Sequence, residues 1–231
     1  MRNLERINAY LQKKKYTVEL IIVDDGSNKK TRDLLYRSKK RLRFKLIHYK
    51  KNQGKGFAIR EGMLEASGKY RIFTDIDLST PIESLERFLS ALKKYDVVIA
   101  TRKGKTSEVL VHQSFLRESM GKFFTFLSRQ TTGVDVSDFT CGFKGFSRNA
   151  AIRIFSQLRT KRWSFDTESL FLANKYGYSI HEIPVLWTND SETKVAFPRD
   201  IVTSLKDIVL IKIYSFSGKY QSDHEKNNCL Y

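Results

Sequence analysis

Cysteine is almost missing: Cys141 and Cys229 are the only two in 231 residues. That is too few for a disulfide framework, and it fits a reducing compartment, so the expected side is the cytosol. Long apolar runs are missing too. No stretch reaches the roughly 18 residues needed to span a bilayer, and the start, MRNLERINAYLQKKKY, holds no apolar segment of signal-peptide length. Any membrane contact is therefore expected to be peripheral. Acid is the third scarcity: 25 Asp and Glu face 42 Lys and Arg, which leaves +17. A field of that sign predicts partners rich in phosphate, whether nucleic acid, nucleotides or an anionic membrane surface. Apolar content is not scarce: 41%, with 13% aromatic, is ample for a core and excludes a disordered tail.

Strand-like and helix-like stretches alternate through the first hundred residues. VELIIVDD (18–25) is a nearly continuous apolar run ending in acid, the pattern of a parallel strand buried on both faces. RFKLIHY (43–49), YRIFTDID (70–77) and YDVVIATR (95–102) repeat it. Between them KKTRDLLYRSKK, GFAIREGMLEASG and PIESLERFLSALKKY read as helices, with Gly68 closing the second and Pro81 suited to a first turn. This alternation predicts an α/β fold with right-handed crossovers and an open, mostly parallel sheet carrying helices on both faces.

Ligands of such sheets lie beyond the carboxyl ends of the strands. Three of the predicted strands end there in unusual polar residues: Asp24-Asp25-Gly26-Ser27, Asp75-Ile76-Asp77 and Thr101-Arg102. Residues at i and i+2 of a strand share a side, so Asp75 and Asp77 face one point unless the chain turns between them. Two carboxylates so close call for a cation, a shared proton or an arginine. Asp and Ser at such places also cap helices.

From about residue 103 the style changes. KGKTSEVLVHQ is a polar connector, and SFLRESMGKFFTFLSRQ sets Leu116, Met120, Phe123, Phe124 and Leu127 on one helical stripe with Arg117, Lys122 and Arg129 around it. Such a stripe is either core or a face lying in a lipid headgroup layer. The organisation expected is a first half over 1–103, a second half over 104–214 and a polar tail over 215–231.

Six motifs in order resemble family 2 glycosyltransferases of the GT-A fold: VDDGS (23–27), NQGKGFAIREG (52–62), TDIDLSTP (74–81), DFTCGFKGF (138–146), WSFDTE (163–168) and HEIPVLW (181–187). Within that family the chain is similar to the polyprenyl-phosphate sugar transferases, and among these to the branch that loads glucose onto dolichyl phosphate. The resemblance implies inverting transfer of glucose from UDP-glucose to a polyprenyl phosphate at the cytosolic membrane face, with Mg²⁺ or Mn²⁺ held by Asp75 and Asp77. It further implies Asp77 and Asp138 as catalytic residues, and Asp24, Asp25, Gly54, Lys55, Gly56 and Asp75 on the nucleotide sugar. Arg102, Arg117 and Lys194 would grip the acceptor phosphate. Asp166 and Glu168 can equally be first-turn acids favoured by a helix dipole, and a structural role is expected for Glu168.

The physics of such a reaction is consistent with these residue types. A phosphate monoester carries about −1.5 to −2 charge at neutral pH and is already a nucleophile, so cations matter more than a base. NQGKG lacks the Gly-rich lead and the Ser or Thr of a Walker loop, yet its glycines permit a tight turn into a helix start able to receive phosphate. The resemblance breaks at the front. Relatives open with an apolar strand ending in P-x-Y-N-E, whereas MRNLERI opens this sequence. Three alternatives stay open: mannose transfer from GDP-mannose, an inactive glycosyltransferase-like chain, and a nucleic-acid-binding protein. The last rests on charge alone, without an Arg-dense recognition helix or aromatics set on strands.

Overall fold

The computed structural model describes residues 1–103, 107–111, 115–188 and 199–220. Helix α1 (Arg2–Gln12) is followed by β1 (Ile21–Asp25), α2 (Lys29–Lys39), β2 (Lys45–Tyr49), α3 (Lys55–Glu65) and β3 (Tyr70–Thr74). A 3₁₀ turn (Ile82–Ser84) leads into α4 (Leu85–Ala91), then β4 (Val97–Thr101), β5 (Glu108–Val111) and α5 (Phe115–Thr132). The remainder is β6 (Phe143–Ser147), α6 (Arg148–Gln157), α7 (Phe165–Lys175), β7 (Ile180–Pro184), β8 (Leu186–Thr188) and α8 (Arg199–Phe216).

β1 pairs with β2, β4 with β7 and β5 with β8, all in parallel. Strand β6 runs antiparallel between β3 and β4, giving the order β3-β6-β4-β7. The mostly parallel α/β sheet is thus as expected, with one reversed strand that the alternation of motifs did not signal. Both faces of this sheet are covered. Along β4, Val97 and Ile99 pack with Phe146, Ile154 and Leu170 on the side of α6 and α7, whereas Val98 and Ala100 pack with Leu85, Phe88 and Phe143 on the side of α4. Each such buried Phe or Leu contributes about 1.5–3 kcal/mol over an exposed one.

Local chemistry sets several element ends. The Asn28 side chain accepts the Thr31 amide at the start of α2, and Ser147 accepts that of Ala150 at the start of α6, caps each worth about 1 kcal/mol. Strand β3 stops at Thr74, short of the aspartates. The Leu78 amide bonds the Asp75 carbonyl and Leu78 itself sits at φ 55°, so the chain does turn between Asp75 and Asp77.

Helix α5 presents a different face from the one its apolar spacing suggests. Thr125, Ser128 and Thr132 are buried, while Phe123 and Phe126 are 57% and 56% exposed and Phe124 is half-buried. The small hydroxyls are accommodated inside because Thr125 and Thr132 bond carbonyls four residues back and Ser128 meets Thr167 of α7. On α8, Val209, Ile213 and Phe216 are likewise exposed. Among the described residues no helix is long and apolar enough to cross a membrane.

Candidate functional site

The strand ends and the starts of α3 and α7 converge on one cleft of about 2060 Å³, whose lining includes Asp24, Lys55, Asp75, Asp77, Arg102 and Asp166. On its β1 side the register sets Asp24 opposite His48. The Asp24 carboxylate accepts from His48 Nδ1 at 2.9 Å and from the Ser27 amide at 3.0 Å. Burial pushes that carboxyl up, but the Ser27 and His48 contacts outweigh it and hold it below its ordinary value. Asp25 accepts the amides of Gln53 and Gly54 at 2.9 and 2.7 Å. Both acids of VDDGS therefore shape loops at the rim.

Gly54 is at φ 116°, and a Cβ there would lie 2.3 Å from the Lys161 carbonyl oxygen. That carbonyl accepts the Phe57 amide at 3.0 Å. The glycines of NQGKG thus let the 160–165 segment press against the start of α3, where the Gly54 and Phe57 amides both have protein partners. Glu168 holds the same segment. Fully buried, it accepts the amides of Arg159 and Thr160 and, at 2.7 Å, the Tyr220 hydroxyl, which is the structural role expected of it.

At the centre, Lys55 Nζ lies 2.7 and 2.8 Å from the two Asp75 carboxylate oxygens. Burial works to lower the Lys55 ammonium, and Asp75 and Asp166 more than reverse that, so it is raised. Gly142 makes the close approach possible: a Cβ there would be 2.0 Å from Asp75 Oδ2. Beneath lies an ion pair not foreseen from sequence, Lys144 of β6 with Asp166 of α7, both buried. Lys144 Nζ also reaches the Cys141 carbonyl at 2.7 Å. Burial pushes the Asp166 carboxyl up against the pull of Lys144 and Lys55. A lysine between phenylalanines in CGFKGF was the available signal, since a buried cation needs a partner. Asp77 differs from its neighbours. It is exposed, and among the described residues its carboxylate accepts only the Ser79 amide, at 2.9 Å.

On the β4 side Arg102 grips Asp138 at two points, Nε to Oδ2 at 2.7 Å and Nη2 to Oδ1 at 2.8 Å. Asp138 is 1% exposed. Burial alone would raise its carboxyl, yet Arg102 and then Lys103 hold it well below the usual carboxylate range. Arg102 also donates to Thr140 and lies over the Trp187 ring, 5.2 Å from its centre. Next to it, Lys103 donates to Thr125 of α5 at 3.0 Å. Partial burial, with Arg102, Arg129 and Lys122 nearby, lowers the Lys103 ammonium despite Asp138. Lys103, beside Arg102 but not in the lining of the cleft, is a cation that motif reading passed over. Arg117 is on α5, but its side chain lies outside the described residues, as does Lys194 altogether.

Residues 3–155 match the family model described as glycosyl transferase family 2. The dolichyl-phosphate beta-glucosyltransferase of Saccharomyces cerevisiae is 31% identical over 224 residues, 89% of this chain and 67% of that protein. Its human counterpart is 30% identical over 233 residues, 94% of this chain and 72% of that protein. The chain thus spans about two thirds of the length of these relatives. Among solved structures, glucosyl-3-phosphoglycerate synthase from Mycobacterium tuberculosis, in complex with Mn²⁺, UDP-glucose and phosphoglyceric acid, superposes with a TM-score of 0.60 at 14% identity, over 91% of this chain and 72% of that one.

Proposed function

The chain belongs to glycosyl transferase family 2 and has the GT-A fold, and we propose that it moves glucose from UDP-glucose to the phosphate of a dolichyl-type polyprenyl lipid, with inversion, at the cytosolic face of a membrane. The observation that carries this reading is a charge division within one cleft. Carboxylates around Lys55 line one part and Arg102 lines another, with Lys103, Arg129 and Lys122 near Arg102 outside the lining and adding positive charge beside α5. The first suits a diphosphate bridged by a divalent cation, the second a phosphate monoester. The relatives named dolichyl-phosphate beta-glucosyltransferase support the acceptor and the sugar.

For the cation, Mg²⁺ or Mn²⁺, the residues fit. Such an ion takes one or two carboxylates plus substrate phosphates rather than an all-protein cage, and among the described residues no group of three or more His, Cys, Asp or Glu could hold a metal alone. Asp77, whose carboxylate is exposed and has only an amide partner, would be the main ligand, with Asp75 beside it. When bound, the ion offsets the charge that develops as the nucleotide leaves. The Mn²⁺ and UDP-glucose in the mycobacterial neighbour support both the ion and the donor.

The protein's own groups then divide the work. Lys55 holds Asp75 in place and limits repulsion among Asp75, Asp77 and Asp166. Asp24, Asp25, Gly54 and Gly56 shape the rim against which the nucleotide lies. Arg102 and Lys103, with Arg117 and Lys194, orient the acceptor phosphate, which attacks without surrendering a proton to the protein. Asp138 is not a base in this scheme. Buried and paired, it is a positioning residue that fixes the Arg102 guanidinium. Phe123 and Phe124 line the cleft and lead from it toward the exposed Phe126, an apolar path suited to a prenyl chain.

Incubation with Mg²⁺, a short polyprenyl phosphate and either UDP-glucose or GDP-mannose tests the reading. Glucose transfer supports it. Mannose transfer overturns the sugar assignment, and failure of both donors overturns the activity.

A further inference from the structure

Two carboxylates, on Asp75 and Asp166, attract the same lysine. The starts of α3 and α7, which carry Lys55 and Asp166, are pressed together: a Cβ on Gly56 would lie 2.6 Å from the Phe165 Cβ, and Lys55 Nζ lies 5.8 Å from the centre of the Trp163 ring. From there Lys55 reaches both Asp75 oxygens, at 2.7 and 2.8 Å. Burial opposes its charge, and Asp75 and then Asp166 restore it. Asp166, 4% exposed, lines the same cleft. Among the described residues its carboxylate accepts only from Lys144, through Oδ1, which leaves Oδ2 without a donor.

Lys144 ties the two acids to one frame. Its Nζ holds the Cys141 carbonyl as well as Asp166. The carbonyl of Gly142, the next residue, accepts the Asp75 amide at 3.2 Å, and its bare Cα leaves room for the Asp75 carboxylate. Lys144, Asp166, Lys55 and Asp75 thus form a row of alternating charge that runs from a fully buried strand residue to the cleft. Stability does not account for the buried end of this row, because apolar side chains of like volume often serve as well as a buried ion pair or better.

We propose that Asp166 is a positioning residue that acts through Lys55: by sharing the Lys55 ammonium with Asp75, it sets how readily Lys55 gives up the Asp75 oxygens to a divalent cation, and Lys144 fixes Asp166 for that role. This role rests on the assignment of the ion to Asp75 and Asp77. With both Asp75 oxygens bonded to Lys55, a cation can take one only as the ammonium moves off it. Asp166, with no donor on Oδ2, is the carboxylate placed to receive it. An ammonium moved between two carboxylates keeps a counter-charge throughout, whereas one pulled from a single partner would be left buried and unpaired. Without the Asp166 charge, Lys55 stays on Asp75 and the ion binds more weakly.

A double-mutant cycle on Mn²⁺ binding in the presence of UDP, read from loss of the free-ion EPR signal, tests this without turnover. Asp166→Asn should weaken Mn²⁺ by about 10-fold, the size of a redirected charge-assisted hydrogen bond. With Lys55→Met already in place, the same change should cost less than about 2-fold. Damage to the fold, or loss of a negative charge acting directly on the ion, would persist without Lys55. Because Asp166→Asn leaves Lys144 buried without its counter-charge, the charge-free pair Lys144→Met with Asp166→Leu is the second variant. It should keep Tm near that of wild type and weaken Mn²⁺ as Asp166→Asn does, again only while Lys55 is present. Unchanged affinity in either variant, an equal loss with and without Lys55, or failure of both variants to fold would overturn the proposal. Wild type that binds no Mn²⁺ with UDP would overturn the metal assignment itself, and this role with it.

Discussion

Arg102 and Asp138 are joined at two points across 36 residues of sequence, at 2.7 and 2.8 Å, with Asp138 almost wholly buried. Removing one partner strands a buried charge, a loss of about 3–5 kcal/mol. Asp138→Asn should therefore lower Tm clearly. The pH dependence follows from the sign of the shift. A carboxyl held below its ordinary value of about 3.9 contributes stability that is present above that pH and is lost as pH falls through the lowered value. Denaturant unfolding should show a constant gap between wild type and Asp138→Asn from neutrality to about pH 4, narrowing only below it.

Asp77→Asn should abolish transfer and Mn²⁺ binding while leaving Tm within about 1 °C, since an exposed side chain keeps its shape and its bond to Ser79. Calorimetric titration with Mn²⁺ and UDP checks this. Unchanged affinity would remove Asp77 from the metal site.

Lys103 loses its proton more readily than an ordinary lysine because of partial burial and neighbouring cations. The Michaelis constant for the acceptor phosphate should rise on the alkaline side at a pH below the usual lysine value of about 10.4, with that for UDP-glucose unaffected. Lys103→Arg should move this alkaline limb upward, as read from pH profiles with each substrate varied.

Binding to anionic liposomes should have two parts. The charge-dependent part, about 1 kcal/mol per cation near the surface, weakens with salt, and the part due to exposed rings does not. Replacing Phe123 and Phe126 by serine should remove the salt-resistant part without unfolding, because both rings are more than half exposed. Co-sedimentation at low and high salt, with Tm as control, separates the outcomes. Unfolding of the double variant would return α5 to the core.

The α/β plan and the carboxylate rim were legible because strands and loops of this kind are written locally. VELIIVDD and YDVVIATR carry their burial in their composition. What was not legible depends on partners far away in the chain. Lys144 reads as a break in an apolar run until Asp166, 22 residues later, supplies its counter-charge. Likewise Asp138 looks like a free acid until Arg102 is found beside it. The reversed β6 has the same origin, as its neighbours β3 and β4 are both earlier in sequence. On α5, apolar spacing selected Phe124 and missed Phe126, because the face turned inward is made of small hydroxyls with their own partners. Helix α1 was not anticipated, its polar sequence burying only Leu4, Ile7 and Asn8.

The central claim is a single displacement at the anomeric carbon by a lipid phosphate held at Arg102 and Lys103. The most direct measurement is the anomeric configuration of the lipid product made from UDP-α-glucose and a short polyprenyl phosphate, read from the proton coupling at that carbon by NMR. A β-glucosyl phosphodiester is predicted. An α-linked product, or free glucose in place of a lipid-linked one, would contradict the account.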